Sequence, residues 1–146
     1  MVRSPKSKTA RAARVWRLMF DFLISSAPHR TEVLGRHGLT PNDSRGLGSL
    51  SADEGRTMRS LADEWQCDAS NATWIVDRLE RAGLAERRSM PNDRRVKLVV
   101  LTPKGVKTRA EVLAAFYAVP PELLELDNTA LDVLERALEH LSRRGA

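Results

Sequence analysis

The sequence is most constrained between residues 57 and 102, where two short amphipathic segments meet at a tight turn and are followed by two extended segments around a proline-containing loop. Thr57 is a favoured helix N-cap type, and Met58, Leu61, Ala62 and Trp65 recur behind it at three- and four-residue steps, which predicts a short helix ending near Gln66. Asp68 is placed to cap the next helix, its carboxylate accepting from the backbone N–H of Ser70 or Asn71 and meeting the positive end of the helix dipole. That helix should run to Ala82 and stop at Gly83, which tolerates the left-handed conformation of a helix end. Its apolar face is Ala72, Ile75, Val76 and Leu79, which leaves Ser70, Asn71, Thr73, Trp74, Asp77, Arg78 and Arg81 on the other side.

Residues 84–88 and 96–101 have strand composition, and the segment Ser89-Met90-Pro91-Asn92-Asp93-Arg94-Arg95 between them supplies turn residues. Two short helices joined by a turn, the second presenting small polar residues near its N-terminus, have the geometry of a DNA major-groove reader and equally that of a plain helical hairpin. The charged extended pair tips the balance. Residues 87–97 carry five cations (Arg87, Arg88, Arg94, Arg95, Lys97) against one acid (Asp93). Arginines on a narrow protrusion suit the minor groove, whose negative potential deepens where it narrows.

The whole-chain charge of +5 is unevenly spread. Residues 111–146 hold three arginines (Arg136, Arg143, Arg144) against seven acids (Glu111, Glu122, Glu125, Asp127, Asp132, Glu135, Glu139), a net of −4, which leaves +9 on residues 1–110. One part therefore suits a polyanion and the other a different task. A chain of 146 residues, 42% of them apolar, suffices for one core. The single cysteine, Cys67, excludes an internal disulfide and suits a reducing cytoplasm. The N-terminal apolar run is broken by Arg17 and Asp21, so neither a signal peptide nor a membrane span is expected.

In chain order, residues 1–8 read as a mobile basic arm, followed by one domain over 9–146. A first helix from about Thr9 to Ala27 carries Ala13, Trp16, Phe20, Leu23 and Ile24 on a stripe and ends at Pro28. Trp16 and Trp65, both on apolar stripes, are expected in the core. A second helix spans about Arg30 to His37, and a third, capped by Thr40, starts at Pro41 and runs to about Leu50. Residues 51–56 read as a polar loop. Thr102 caps a helix from Pro103 that carries Val106, Ala110, Leu113, Ala114 and Tyr117 until Pro120-Pro121 interrupts, with a short helical turn over 122–126. A last helix from about Asn128 to Arg143 places Leu131, Leu134, Leu138 and Leu141 on a stripe too long for one small domain to cover, which calls for a homodimer.

From Thr57 to Gly105 the chain resembles the DNA-binding core of the MarR family of bacterial transcriptional regulators. The residues that carry the likeness are Ser60-Leu61-Ala62-Asp63-Glu64-Trp65 in the first helix, Val76 to Leu84 in the second, and Asp93, Arg95, Leu101 and Thr102 in the family's wing pattern, closed by Pro103-Lys104-Gly105. The resemblance implies a mainly α (α+β) fold: a winged helix-turn-helix over 30–102 with a two-stranded wing, and helices over 9–27 and 103–146 forming a dimerisation region. It implies that Arg95 enters the minor groove with Asp93 as its support, and that Arg94 is a phosphate contact or second groove donor. Ser70, Asn71, Thr73 and Trp74 then meet base edges and phosphates, with Asn71 suited to bidentate reading of adenine. Arg78 is left between a phosphate and a partner within the domain. Trp74, where relatives carry basic or small polar residues, is left between a thymine methyl and packing on the domain.

The expected partners are double-stranded DNA, a second copy of the chain and, as in many relatives, a small lipophilic effector that releases a repressor. Trp16, Phe20, His37 and Tyr117 are candidates for an effector pocket by position only. His29, His37 and His140 lack ligand spacing, so no metal or other cofactor is expected. No phosphate-binding glycine loop, nucleophile elbow or HExxH sequence is present, so no enzyme is expected. The contrasting readings are an architectural DNA binder without sequence preference and a redox sensor acting through Cys67.

Overall fold

The computed structural model describes residues 7–143, so residues 1–6 of the basic arm lie outside the described residues. The chain divides into two compact units, residues 1–116 and 117–146. The first holds six helices, α1 (Lys8–Ser25), α2 (Ala27–Arg36), α3 (Pro41–Ser49), α4 (Met58–Trp65), α5 (Ala69–Arg81) and α6 (Pro103–Phe116), with strands β1 (Arg56–Thr57), β2 (Ala85–Ser89) and β3 (Lys97–Leu101). The second holds α7 (Pro121–Leu124) and α8 (Asn128–Ser142). No described helix is long and apolar enough to cross a membrane.

Helix boundaries follow side-chain capping. Ser7, Thr57, Asp68 and Asp127 each accept from a backbone N–H in the first turn of the helix they precede. Pro28, expected to end α1, instead lies in the first turn of α2, where its missing N–H leaves no bond unmade. The break between α1 and α2 falls at Ser26, and Arg30 ties the two together by donating to the Leu23 carbonyl at 2.6 Å and the Ser26 hydroxyl at 3.1 Å. Thr102 does two jobs at the other end of the unit. Its Oγ1 donates to the Gly83 carbonyl at 2.6 Å and accepts from the Gly105 amide at 3.0 Å, so the start of α6 is bound to the end of α5. Gly105 is required by this junction, because a Cβ there would lie 1.9 Å from the Leu84 carbonyl oxygen.

The sheet is antiparallel in the order β1-β3-β2. Its third strand, β1, lies in what reads from the sequence as the end of a polar loop. Two residues are too few to display alternation, and Arg56 and Thr57 are recruited only because Val99 and Leu98 offer an open strand edge. The core gathers Val33, Leu34 and Leu39, then Leu47, Leu50, Leu61 and Trp65, around the buried face of α5. Trp65 also donates its indole N–H to Ser49 at 2.9 Å, and Ser49 donates on to Glu64 at 2.8 Å. Trp16 departs from the expectation of a core position, being 67% exposed on a helix with no buried residue. Periodicity identifies a face that needs cover and is silent about what provides it.

Helix α3 is fastened to α5 in two ways. Gly46 faces Ile75 and Leu79 so closely that a Cβ would come within 2.7 Å of Ile75 Cγ2. Beside it, Asp43 closes a reciprocal capping box with Thr40, its carboxylate accepting from the Thr40 amide at 2.7 Å. The same carboxylate, wholly buried, accepts from Arg78 Nε and Nη2 at 2.9 and 2.8 Å. Burial alone pushes the Asp43 carboxyl upward. The hydrogen bonds from Arg78 and Thr40, with the guanidinium charge, outweigh it and hold the group below the usual carboxylate range. A depressed folded-state pKa contributes stability that is present above the unfolded value and is lost as pH falls through the folded one. The urea midpoint of the native protein should therefore drop more than that of Asp43→Asn between pH 7 and pH 3, narrowing the gap between the two proteins. Parallel curves across that range would show that the Asp43 carboxyl has the same pKa folded and unfolded, and that its partners do not depress it.

Candidate nucleic-acid interface

The two faces of α5 are cleanly divided. Ala72, Ile75, Val76 and Leu79 are buried, while Ser70, Asn71, Thr73 and Trp74 are exposed. The division starts at Asp68, whose Oδ1 accepts from the Asn71 amide at 2.7 Å, and at Gln66, whose left-handed backbone (φ 51°) turns the chain sharply between α4 and α5. Four small or aromatic side chains thus stand together over the first turns of a helix docked by its other face. Cys67, in that turn, is partly buried against the core.

Arg78, one turn beyond Trp74, has a partner within the domain. Its guanidinium is engaged edge-on by Asp43, and its central carbon lies 5.1 Å from the centroid of the Trp74 ring. Trp74 itself remains 47% exposed. Asp43 is the residue that sequence reasoning missed, although the spacing Thr40-Pro41-Asn42-Asp43, with an acid three residues after an N-cap, carried the signal.

The wing is shaped by its aspartate. Asp93 Oδ1 accepts from the Arg95 amide at 2.9 Å, and the Asp93 carbonyl accepts from the Val96 amide at 3.1 Å, closing the turn that carries Arg94 and Arg95 exposed at the tip. The five cations counted along this segment are not equivalent. Arg87 turns back to Asp77 at 2.8 Å and to Glu80, tying β2 to α5, while Arg88 pairs with Glu86 and Lys97 donates to Ser89. Arg94 and Arg95 stand exposed at the tip, and Lys97 on β3 keeps its charge, since a serine hydroxyl cancels none of it.

The four pocket candidates are distributed. Trp16 and Phe20 pack ring to ring on α1 with centroids 6.5 Å apart, and Tyr117 belongs to the second unit. His37 lines a cleft of about 310 Å³ between α2 and α6, with His29, Val33, Arg36, Glu111 and Ala115 as the other walls. His37 Nε2 is 3.1 Å from Glu111 Oε2 across it. Among the described residues, no group of three or more His, Cys, Asp or Glu side chains is arranged to hold a metal ion. In the second unit, Leu131, Leu134 and Leu138 share a groove with Leu123, and Leu141 is exposed on the same helix.

Comparison with known proteins agrees with this geometry. A family model described as the MarR family matches residues 37–96. The transcriptional repressor MprA of Escherichia coli (strain K12) is 31% identical over 119 residues, covering 80% of this chain and 68% of that protein. The HTH-type transcriptional regulator MhqR of Bacillus subtilis (strain 168) is 26% identical over 117 residues, covering 80% and 79%. Among solved structures, the YusO protein from Bacillus subtilis superposes with a TM-score of 0.77 at 24% identity, covering 94% of this chain and 99% of that one. The MepR–DNA complex of S. aureus does so at 0.69 and 20%, covering 92% and 99%. These likenesses identify the fold as a winged helix, and the curated relatives are transcriptional regulators rather than enzymes. By the match to MprA across most of both chains, together with the family model over α3, α4 and α5, this chain belongs to the MarR family of transcriptional regulators.

Proposed function

We propose that the protein is a repressor that binds a palindromic operator as a homodimer in the cytoplasm, with residues 30–102 as the reading part, 9–27 and 103–146 as the dimerising part and 1–8 as a basic arm. The observation that carries the reading is the pairing of an exposed polar face on α5 with an exposed two-arginine tip on the hairpin that follows it. On this reading Ser70, Asn71, Thr73 and Trp74 enter the major groove, Arg95 the minor groove, and Arg94 a neighbouring phosphate. A solved relative of the same fold is described in complex with DNA, and MprA is described as a repressor, which supports both halves of the proposal.

The dimer is supported by two helices with unsatisfied apolar stripes. Neither α1 nor α8 has a buried residue, yet α1 exposes Trp16, Phe20, Leu23 and Ile24, and α8 exposes Val133, Leu138 and Leu141. Covering such stripes with a second copy removes them from water and sets two readers on a two-fold axis, as a palindrome requires. Release by a small lipophilic ligand is the regulatory half of the proposal. The cleft beside His37 is of the size that holds small molecules.

Three outcomes test this function. Asn71→Ala should weaken binding to the operator footprinted upstream of the gene by about 1–3 kcal/mol and to a random duplex by less, as bidentate adenine reading demands. Equal losses on both duplexes would remove Asn71 from the base readers, and a native protein that binds both equally would be an architectural binder. Arg95→Ala should weaken both duplexes alike and flatten the slope of log affinity against log salt by about one, since one cation leaves the phosphate field. Leu134→Glu should convert the dimer to monomer in sedimentation, and an intact dimer would mean that α8 is covered in another way.

A further inference from the structure

We propose that Arg78 is a positioning residue for DNA recognition: held by Asp43 of α3, it fixes the exposed Trp74 indole in the orientation that meets the methyl group of a thymine. The inference rests on the proposed reading of DNA by α5.

An indole standing on an exposed helix face has several rotamers open to it, and a reader that samples them loses affinity on ordering. Here one rotamer is supported from below. The guanidinium carbon of Arg78 lies 5.1 Å from the indole centroid, within the range of cation–π attraction. A free arginine would itself be mobile. This one donates Nε and Nη2 to the two oxygens of Asp43, which fixes the guanidinium plane. Asp43 is in turn immobile, being wholly buried and closed into the Thr40 capping box. The orientation of the largest side chain on the reading face is therefore set from α3, through a chain of three residues, each held by the one before it. The same geometry removes Arg78 from the phosphate contacts, because its charge already faces a carboxylate.

Lysine at position 78 keeps the charge but has neither the planar surface nor the forked donors. The full-length protein labelled with 5-fluorotryptophan gives one 19F signal for each of its three tryptophans, and Trp74→Phe identifies the signal of Trp74. Arg78→Lys should move that signal while leaving those of Trp16 and Trp65 in place. It should also lower the preference for the footprinted operator over a random duplex by about fivefold, the loss of one partly desolvated cation–π contact, with the salt slope unchanged. In a Trp74→Ala background the same substitution should change the preference by less than about twofold, since the two residues act as a unit. Asp43→Asn, which loosens the guanidinium from its other side, should move the same 19F signal and provides the test if Arg78→Lys folds poorly. An unmoved Trp74 signal in both variants, or losses from the two sites that add, would overturn the proposal. Arg78→Gln, which removes the charge, should likewise leave the salt slope unchanged, and a slope flattened by about one in that variant would make Arg78 a phosphate contact instead. A native protein without operator preference would defeat the DNA reading itself, whereas a discriminating native protein with additive losses would defeat only the role given to Arg78.

Discussion

A helix that is to read DNA, as proposed for α5, must be fixed on one face so that the other can be left bare, and α5 meets this condition within thirteen residues. Ile75, Val76 and Leu79 are buried on its inner side, each contributing about 2 kcal/mol of apolar burial. The net contribution of a buried ion pair is small beside that sum, because most of its attraction offsets the cost of removing two charges from water. Packing therefore decides that α5 docks, and the Asp43–Arg78 pair lies against one of its outer side chains, Trp74. The close approach of Gly46 belongs to the packing and the capping box around Asp43 to the pair.

This division explains what was legible in the sequence. The buried face of α5, its Asp68 cap and its stop at Gly83 are all local, and each is written in a few consecutive residues. The wing turn is equally local, since Asp93 bonds the amide two residues on. What could not be read depends on partners far along the chain. β1 is a strand only because β3 passes beside it, and Asp43 is a clasp only because Arg78, 35 residues later, folds over it. Trp16 was misplaced for a related reason. Its stripe is as regular as the one that buries Trp65, but nothing local distinguishes a face covered within the chain from one left for another molecule.

Charge followed the same rule. Counting cations along residues 87–97 treats them as one patch, whereas the fold sorts them by neighbour. Arg87 lies under α5 with Asp77 and Glu80 and belongs to the scaffold, and Arg88 is neutralised by Glu86 beside it. A flexible loop bearing five free cations would bind any polyanion. A wing that fixes two of them at a turn held by Asp93 defines where its tip charge lies, which suits insertion into a narrow groove.

The fold also limits how an effector can act on the reading face. His37 ends α2 and lines the cleft against α6, and the chain needs only Gly38 and Leu39 to reach Thr40, the cap that holds Asp43. Gly38 is in the left-handed region (φ 64°) and Leu39 is buried, so this link is short and anchored. A displacement of α2 against α6 would be delivered at the Thr40–Asp43 box, and from there to the guanidinium beneath Trp74. A ligand that bound the cleft equally well at every distance between α2 and α6 would make no difference between two states and would shift no equilibrium. An occupant that competes with the His37–Glu111 contact across the cleft would act where α2 is joined to α6, immediately before that link begins.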